Sequence, residues 1–322
     1  MNSRLEYVDI AKGIGIVLVV CSHSDALGLM WFFMGMFVPI FYFCSGYIFS
    51  MKGTKMTALM LRRFRKLFVP YLFFNFVLFC LFRHLSIREI VGVFYSRYCF
   101  YPLDVSPNIK FLTSGNYPMW FLTSMIVTYF LFYVIIYYEK YRISIITVYV
   151  ILTFAFTKSP ILLPWSLDTA FLTALFMYAG ALVRRYNLMS AKIWQIVLLL
   201  IIYVGLQYVG GEINLSVRMY GTSVVGYFLL GTIGSFIVLW GARFWENSGV
   251  GKFFSILGQH SLTIFCIQMA FIVLAKDVFQ HLLPDMPIGY LTGIFEIAIA
   301  LLGGWLVSVV IHKNDYLSRL LF

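Results

Sequence analysis

The sequence predicts an all-α polytopic membrane protein of about ten transmembrane helices, with both termini in the cytoplasm. Three observations predict it. First, the 322 residues are 61% hydrophobic and only 11% charged, where soluble domains carry about one quarter charged residues. Second, apolar windows of about twenty residues, the length that crosses a hydrocarbon core roughly 30 Å thick, recur at 8–28, 31–50, 67–83, 119–138, 143–158, 168–183, 193–209, 223–241, 253–275 and 289–311. Third, Lys and Arg alternate by side: the segments 51–66, 139–142, 184–192, 242–252 and 312–322 hold 6, 2, 3, 2 and 2 of them, while the intervening short connections add Lys158, Arg218 and Lys276. Cytoplasmic loops carry the excess of basic residues, so these five segments are assigned to the inside.

This sorting gives the net charge of +11 a topological meaning and leaves no call for a nucleic-acid partner. Residues 1–322 read as one membrane domain, and 84–118 is the long external loop. Five cysteines, Cys21, Cys44, Cys80, Cys99 and Cys266, are an odd number without C-x-x-C spacing or clustered histidine, so neither a disulfide framework nor a metal site is expected. Arg4 and Lys12 ahead of an apolar run imitate a signal peptide, but Asp9 and Lys12 interrupt that run and it continues past any plausible cleavage point.

The first span is the one that is not uniformly apolar. It carries Asp9, Lys12 and His23, and ionisable groups inside hydrocarbon are costly enough to point to function. Lys12 and His23 are eleven positions apart, which puts them roughly 20° apart around a helix and roughly 16 Å apart along it. They share a face that must look into protein or water. Asp9 stands one turn before Lys12, placed to pair with it. The bland alternative is that Asp9 and Lys12 mark the cytoplasmic end of the span and that His23 is a satisfied polar residue between helices.

Span two contains Pro39 and the pair Ser45-Gly46, read as a kink and a point of close helix approach. Lys52 and Lys55 follow, then Arg62-Arg63-Phe64-Arg65-Lys66 before Pro70-Tyr71. Two readings of that cluster stand: a topology anchor facing anionic lipid, or a phosphate clamp in which Arg62 and Arg65, at i and i+3 with Lys66 beside them, grip a phosphorylated cofactor.

Lys12-x10-His23, Pro39-x-Phe41-x3-Ser45-Gly46-Tyr47 and Arg62-x-x-Arg65 stand in the order of the acyltransferase-3 family of bacterial integral membrane acyltransferases, which the chain resembles over nearly its whole length. Trp120-Phe121-Leu122 and Gly258-x-x-Ser261-Leu262-x-x-Phe265 are similar to that family's pattern, and Gln268 departs from the histidine of many relatives. The resemblance implies the stand-alone ten-helix form in a bacterial cytoplasmic (inner) membrane. It also implies transfer of an acyl group, usually acetyl, from cytosolic acyl-CoA to a hydroxyl of a surface or exported glycan or lipid-linked saccharide.

The residues then take roles. His23 is expected as general base and Lys12 as a catalytic and donor-binding cation. Arg62, Arg65 and Lys66 are expected to bind acetyl-CoA, with Asp9, Ser45 and Trp120 as support. Glu296 enters at the start of span ten at a depth matching His23, where a carboxylate would hold the imidazole tautomer. The other intramembrane polar residues are Asn75, Gln207 and Gln268. Tyr95, Tyr98, Phe100, Tyr101 and Tyr117, with Pro102, Pro107 and Pro118, make the external loop a platform for a sugar acceptor. The reading from another class is a glycolipid transporter or flippase, whose intramembrane charges would line a path.

Overall fold

The computed structural model describes residues 5–50, 55–82, 87–97, 118–283 and 289–322. Lys52, Cys99 and the loop residues Tyr98, Phe100, Tyr101, Pro102, Pro107 and Tyr117 lie outside them.

The described residues are almost entirely helical. In order they form α1 (Glu6–Ser22), a 3-10 turn at Leu27–Phe33, α2 (Pro39–Tyr47), α3 (Met56–Phe82), α4 (Ile87–Tyr95), α5 (Trp120–Tyr137), α6 (Arg142–Thr157), α7 (Leu167–Arg185) and α8 (Ile193–Val209). A two-residue hairpin, β1 (Ile213–Asn214) with β2 (Met219–Tyr220), leads to α9 (Val224–Ala242), α10 (Gly249–Gln259), α11 (Ser261–Leu282), α12 (Tyr290–Lys313) and α13 (Asp315–Leu321). Seven of them, α3, α5, α6, α7, α9, α11 and α12, are long and apolar enough to cross a membrane. The protein is a multi-pass, all-α membrane protein.

The other three expected spans are shorter. The window 8–28 ends as helix at Ser22, because the run Cys-Ser-His-Ser offers side chains that compete for backbone carbonyls. Window 31–50 is broken, leaving α2 with 9 residues, about 14 Å of helix against a core of roughly 30 Å. Pro39 is the first residue of α2 rather than a kink inside a span; there its missing N–H is one the first helical turn leaves unpaired anyway. The third, α8, has 17 residues.

Two other boundaries moved. α3 starts at Met56, so Arg62 to Lys66 stand within a helix of 27 residues rather than ahead of it. The window 253–275 breaks at His260, where α10 ends and α11 begins, and the Ser261 hydroxyl caps the break by donating to the Gly258 carbonyl at 2.8 Å.

The chain divides into two compact units, each assembled from separated stretches. One comprises residues 1–44, 189–208 and 230–320. Here α1 packs against α10, α11 and α12, and the last two pack on each other. Contact between α1 and α10 is backbone-close: a Cβ on Gly258 would collide with the Asp9 carbonyl oxygen.

The other unit comprises residues 45–188, 209–229 and 321–322. In it α5 packs on α3 and α7, and α6 packs on α7. Gly46 performs the close approach expected of Ser45-Gly46, since a Cβ there would run into the Met177 carbonyl of α7. At the start of α7 the fully buried Asp168 pairs with Arg97 through one carboxylate oxygen. Its other oxygen lies 3.1 Å from Arg218 Nε. The two guanidinium groups then donate to the carbonyls of Leu163 at 3.0 Å, Ser216 at 2.7 Å and Ser159 at 2.7 Å. Burial beside this cluster pushes the Tyr220 phenol well above its usual pKa. Arg218, counted above as a loose loop cation, is therefore a structural ion, and Arg97 and Asp168 are partners the sequence reading missed.

Candidate functional site

The site is built from the C-terminal end of α1. The last carbonyls of any helix lack an N–H partner, a deficit that hydrocarbon surroundings cannot supply. Here side chains supply it: Ser22 Oγ donates to Val19 O at 2.7 Å, Ser24 Oγ donates to Cys21 O at 2.9 Å, and His23 Nδ1 lies 2.8 Å from Val19 O. A carbonyl oxygen only accepts, so Nδ1 carries the proton and Nε2 is the nitrogen with the lone pair. The half-buried imidazole is thus set in the tautomer a general base requires. α1 is continuous from Glu6 to Ser22 with His23 as its αR cap, so the expected alignment of half-buried Lys12 with His23 on one face holds.

Glu296 is brought to this end of α1, as its depth predicted, but not to hold the imidazole. The place of a carboxylate on Nδ1 is taken by Val19 O. Instead Glu296 Oε2 accepts from the Asp25 amide at 2.8 Å. The reason is packing: Gly293, one turn before Glu296, lets α12 come so close to the turn after His23 that a Cβ would run into the Asp25 and Ala26 backbone. Asp25 uses its side chain elsewhere, pairing with Lys276 Nζ at 3.0 Å. Asp25 and Lys276 were not singled out from the sequence. The Ser-His-Ser-Asp run held the signal for Asp25, and Lys276 was read only as a loop cation although it lies inside α11.

At the other end of α1, buried Asp9 lines a polar cavity of about 430 Å³ together with Glu6, Lys252, Ser255, Ile256 and Gln259. It lies one turn before Lys12.

The basic cluster of α3 resolves into two kinds of residue. Arg63 turns inward, its guanidinium 5.3 Å from the centroid of the Tyr129 ring of α5. Arg62, Arg65 and Lys66 stay exposed, within roughly a 100° arc at helical spacing. Such exposed cations suit phosphate, whether of a lipid or of a soluble cofactor. Trp120 is buried at the first position of α5, and Ser45 is buried on α2. Both therefore lie in the interior rather than at the surface. Asn75 Nδ2 donates within α3 to the Tyr71 carbonyl at 2.7 Å, while its Oδ1 is buried without a partner.

The C-terminal end of α1 thus gathers an oriented imidazole, the Glu296 carboxyl group and the Asp25–Lys276 pair among apolar helices. The family model described as an acyltransferase domain matches residues 5–313. The chain belongs to that family, acyltransferase-3, and is a membrane acyltransferase. No curated protein and no solved structure shows a significant match to it.

Proposed function

We propose that the protein transfers an acetyl group from cytosolic acetyl-CoA to a hydroxyl of an exported or lipid-linked glycan, in a bacterial cytoplasmic membrane. The observation that carries this reading is the bond between His23 Nδ1 and Val19 O, which leaves Nε2 as the base. A sugar hydroxyl is a weak nucleophile near neutral pH, and an imidazole of ordinary pKa about 6.5 suits removal of its proton. The hydroxyl oxygen attacks the thioester carbonyl while Nε2 takes the hydroxyl proton. The C–S bond then breaks and the imidazolium returns that proton to the departing thiolate. Lys12, on the same face of α1, is assigned to the donor, and Arg62, Arg65 and Lys66 are assigned to the phosphates of CoA. Glu296, bonded to the turn after His23, is assigned to the acceptor side. Family membership supports acyl transfer over the transporter reading, which has no use for an acyl donor.

The test is the O-acetyl content of surface glycans in cells with and without the gene, paired with acetyl-CoA consumption by the purified protein. Loss of glycan acetylation on deletion is expected. Unchanged acetylation together with no binding of CoA would overturn the reading.

A further inference from the structure

Buried polar groups are normally paired, and each one that is not asks for an explanation. Among the described residues of α11 and α12, four buried side chains have polar atoms without a hydrogen-bond partner: Thr263, Gln268, Thr292 and Glu296. Gln268 stands out because it is fully buried and both Oε1 and Nε2 are unclaimed. Burying a carboxamide without partners is costly, and a fully apolar residue would fill that place in a helix whose neighbours are Ile267 and Ile272.

Its position is fixed from both ends. Gly258, shortly before α11 begins, touches Asp9 near the Lys12 end of α1. Lys276, eight positions after Gln268, holds Asp25 just past His23. α11 packs against α1 in this unit. Gln268 therefore lies between the level of Lys12 and that of His23, about 12 Å along α11 from the residue that marks the His23 end.

We infer that Gln268 is the hydrogen-bonding subsite for the pantetheine arm of the acyl donor. This rests on the function proposed above. Between its phosphorylated head and its thioester, CoA carries two secondary amides, each with one N–H and one carbonyl. A glutamine side chain offers the complement, an NH₂ that donates and an oxygen that accepts. An arm whose thioester reaches His23 from the Lys12 side passes the level of Gln268. With the donor bound, the orphaned carboxamide gains its partners, and the arm is held at a fixed depth.

The experiment compares two probes on the detergent-purified full chain by calorimetric titration: CoA, and adenosine 3′,5′-bisphosphate, which keeps the phosphorylated head and lacks the arm. Gln268→Leu is expected to weaken CoA about five- to tenfold, the worth of a neutral hydrogen bond or two, and to leave the bisphosphate unchanged. It should not lower the melting temperature of the ligand-free protein, because leucine fills similar space without unpaired atoms. Gln268→Glu, which keeps an acceptor oxygen and replaces the two N–H donors by one O–H at most, is expected to fall between wild type and Gln268→Leu. Wild-type CoA affinity in Gln268→Leu, or equal weakening of both probes, would overturn the inference. A wild-type protein that binds neither probe would instead refute the proposed function, so the two failures are distinct.

Discussion

His23 Nδ1 sits 2.8 Å from the carbonyl oxygen of Val19, one helical turn earlier in the same helix. The orienting partner of the imidazole is thus a fixed backbone dipole rather than a titratable carboxylate. The bond fixes how the ring is turned and which of its nitrogens carries the proton.

From this follows the first prediction. His23→Ala should leave insertion and CoA binding near wild type and lower acetyl transfer by about 10²- to 10⁴-fold, the range of lost acid–base help. Glu296→Gln, which keeps an oxygen to accept from the Asp25 amide, should be milder than His23→Ala, since Nδ1 has its own partner. Radiolabelled acetyl transfer by protein that elutes as a single species checks both. Near wild-type transfer by His23→Ala would remove the base from the site.

The basic cluster should divide under mutation as it divides in space. Arg62→Ala and Arg65→Ala are each expected to weaken CoA roughly ten- to hundred-fold, the worth of a charge-assisted hydrogen bond. Lysine at either position should rescue only partly, because a point charge does not reproduce a bidentate fork. Arg63→Ala should lower the melting temperature through its lost contact with Tyr129 and leave CoA affinity alone. Titration and thermal unfolding of the three variants separate these outcomes.

Asp168→Asn should destabilise by about 3–5 kcal/mol, because it leaves two buried guanidinium groups without their anion. Thermal unfolding in detergent reads this as a clear drop in melting temperature. A variant as stable as wild type would mean that the carbonyls of Leu163, Ser216 and Ser159 suffice to hold Arg97 and Arg218.

Topology rests on the Lys/Arg asymmetry and is tested on two exposed described positions. In a chain otherwise free of cysteine, Glu212→Cys should react in intact cells with a membrane-impermeant maleimide, and Ser190→Cys only after permeabilisation. The reverse pattern would invert the assignment of inside and outside.

What the sequence determined by itself is local. Apolar windows announce membrane helices because the length of a crossing is set by hydrocarbon thickness, and helical periodicity alone puts Lys12 and His23 on one face. The same arithmetic makes Arg62 and Arg65 neighbours. Tertiary structure decided which partner each polar group takes. Asp25 and Lys276 meet across 251 positions, and Asp168 gathers Arg97 from 71 positions away. Neither pairing leaves a periodic trace. One helix end turned on local side-chain bonds that hydropathy does not read: the first span stops at Ser22, where Ser22, His23 and Ser24 turn back on its last carbonyls, while hydropathy alone carried it on to residue 28. Val19 O displaced Glu296 as the partner of His23 for the same physical reason. Within a membrane an unpaired carbonyl needs a donor, and the imidazole N–H reaches the carbonyl four residues back before it reaches a carboxylate on a distant helix.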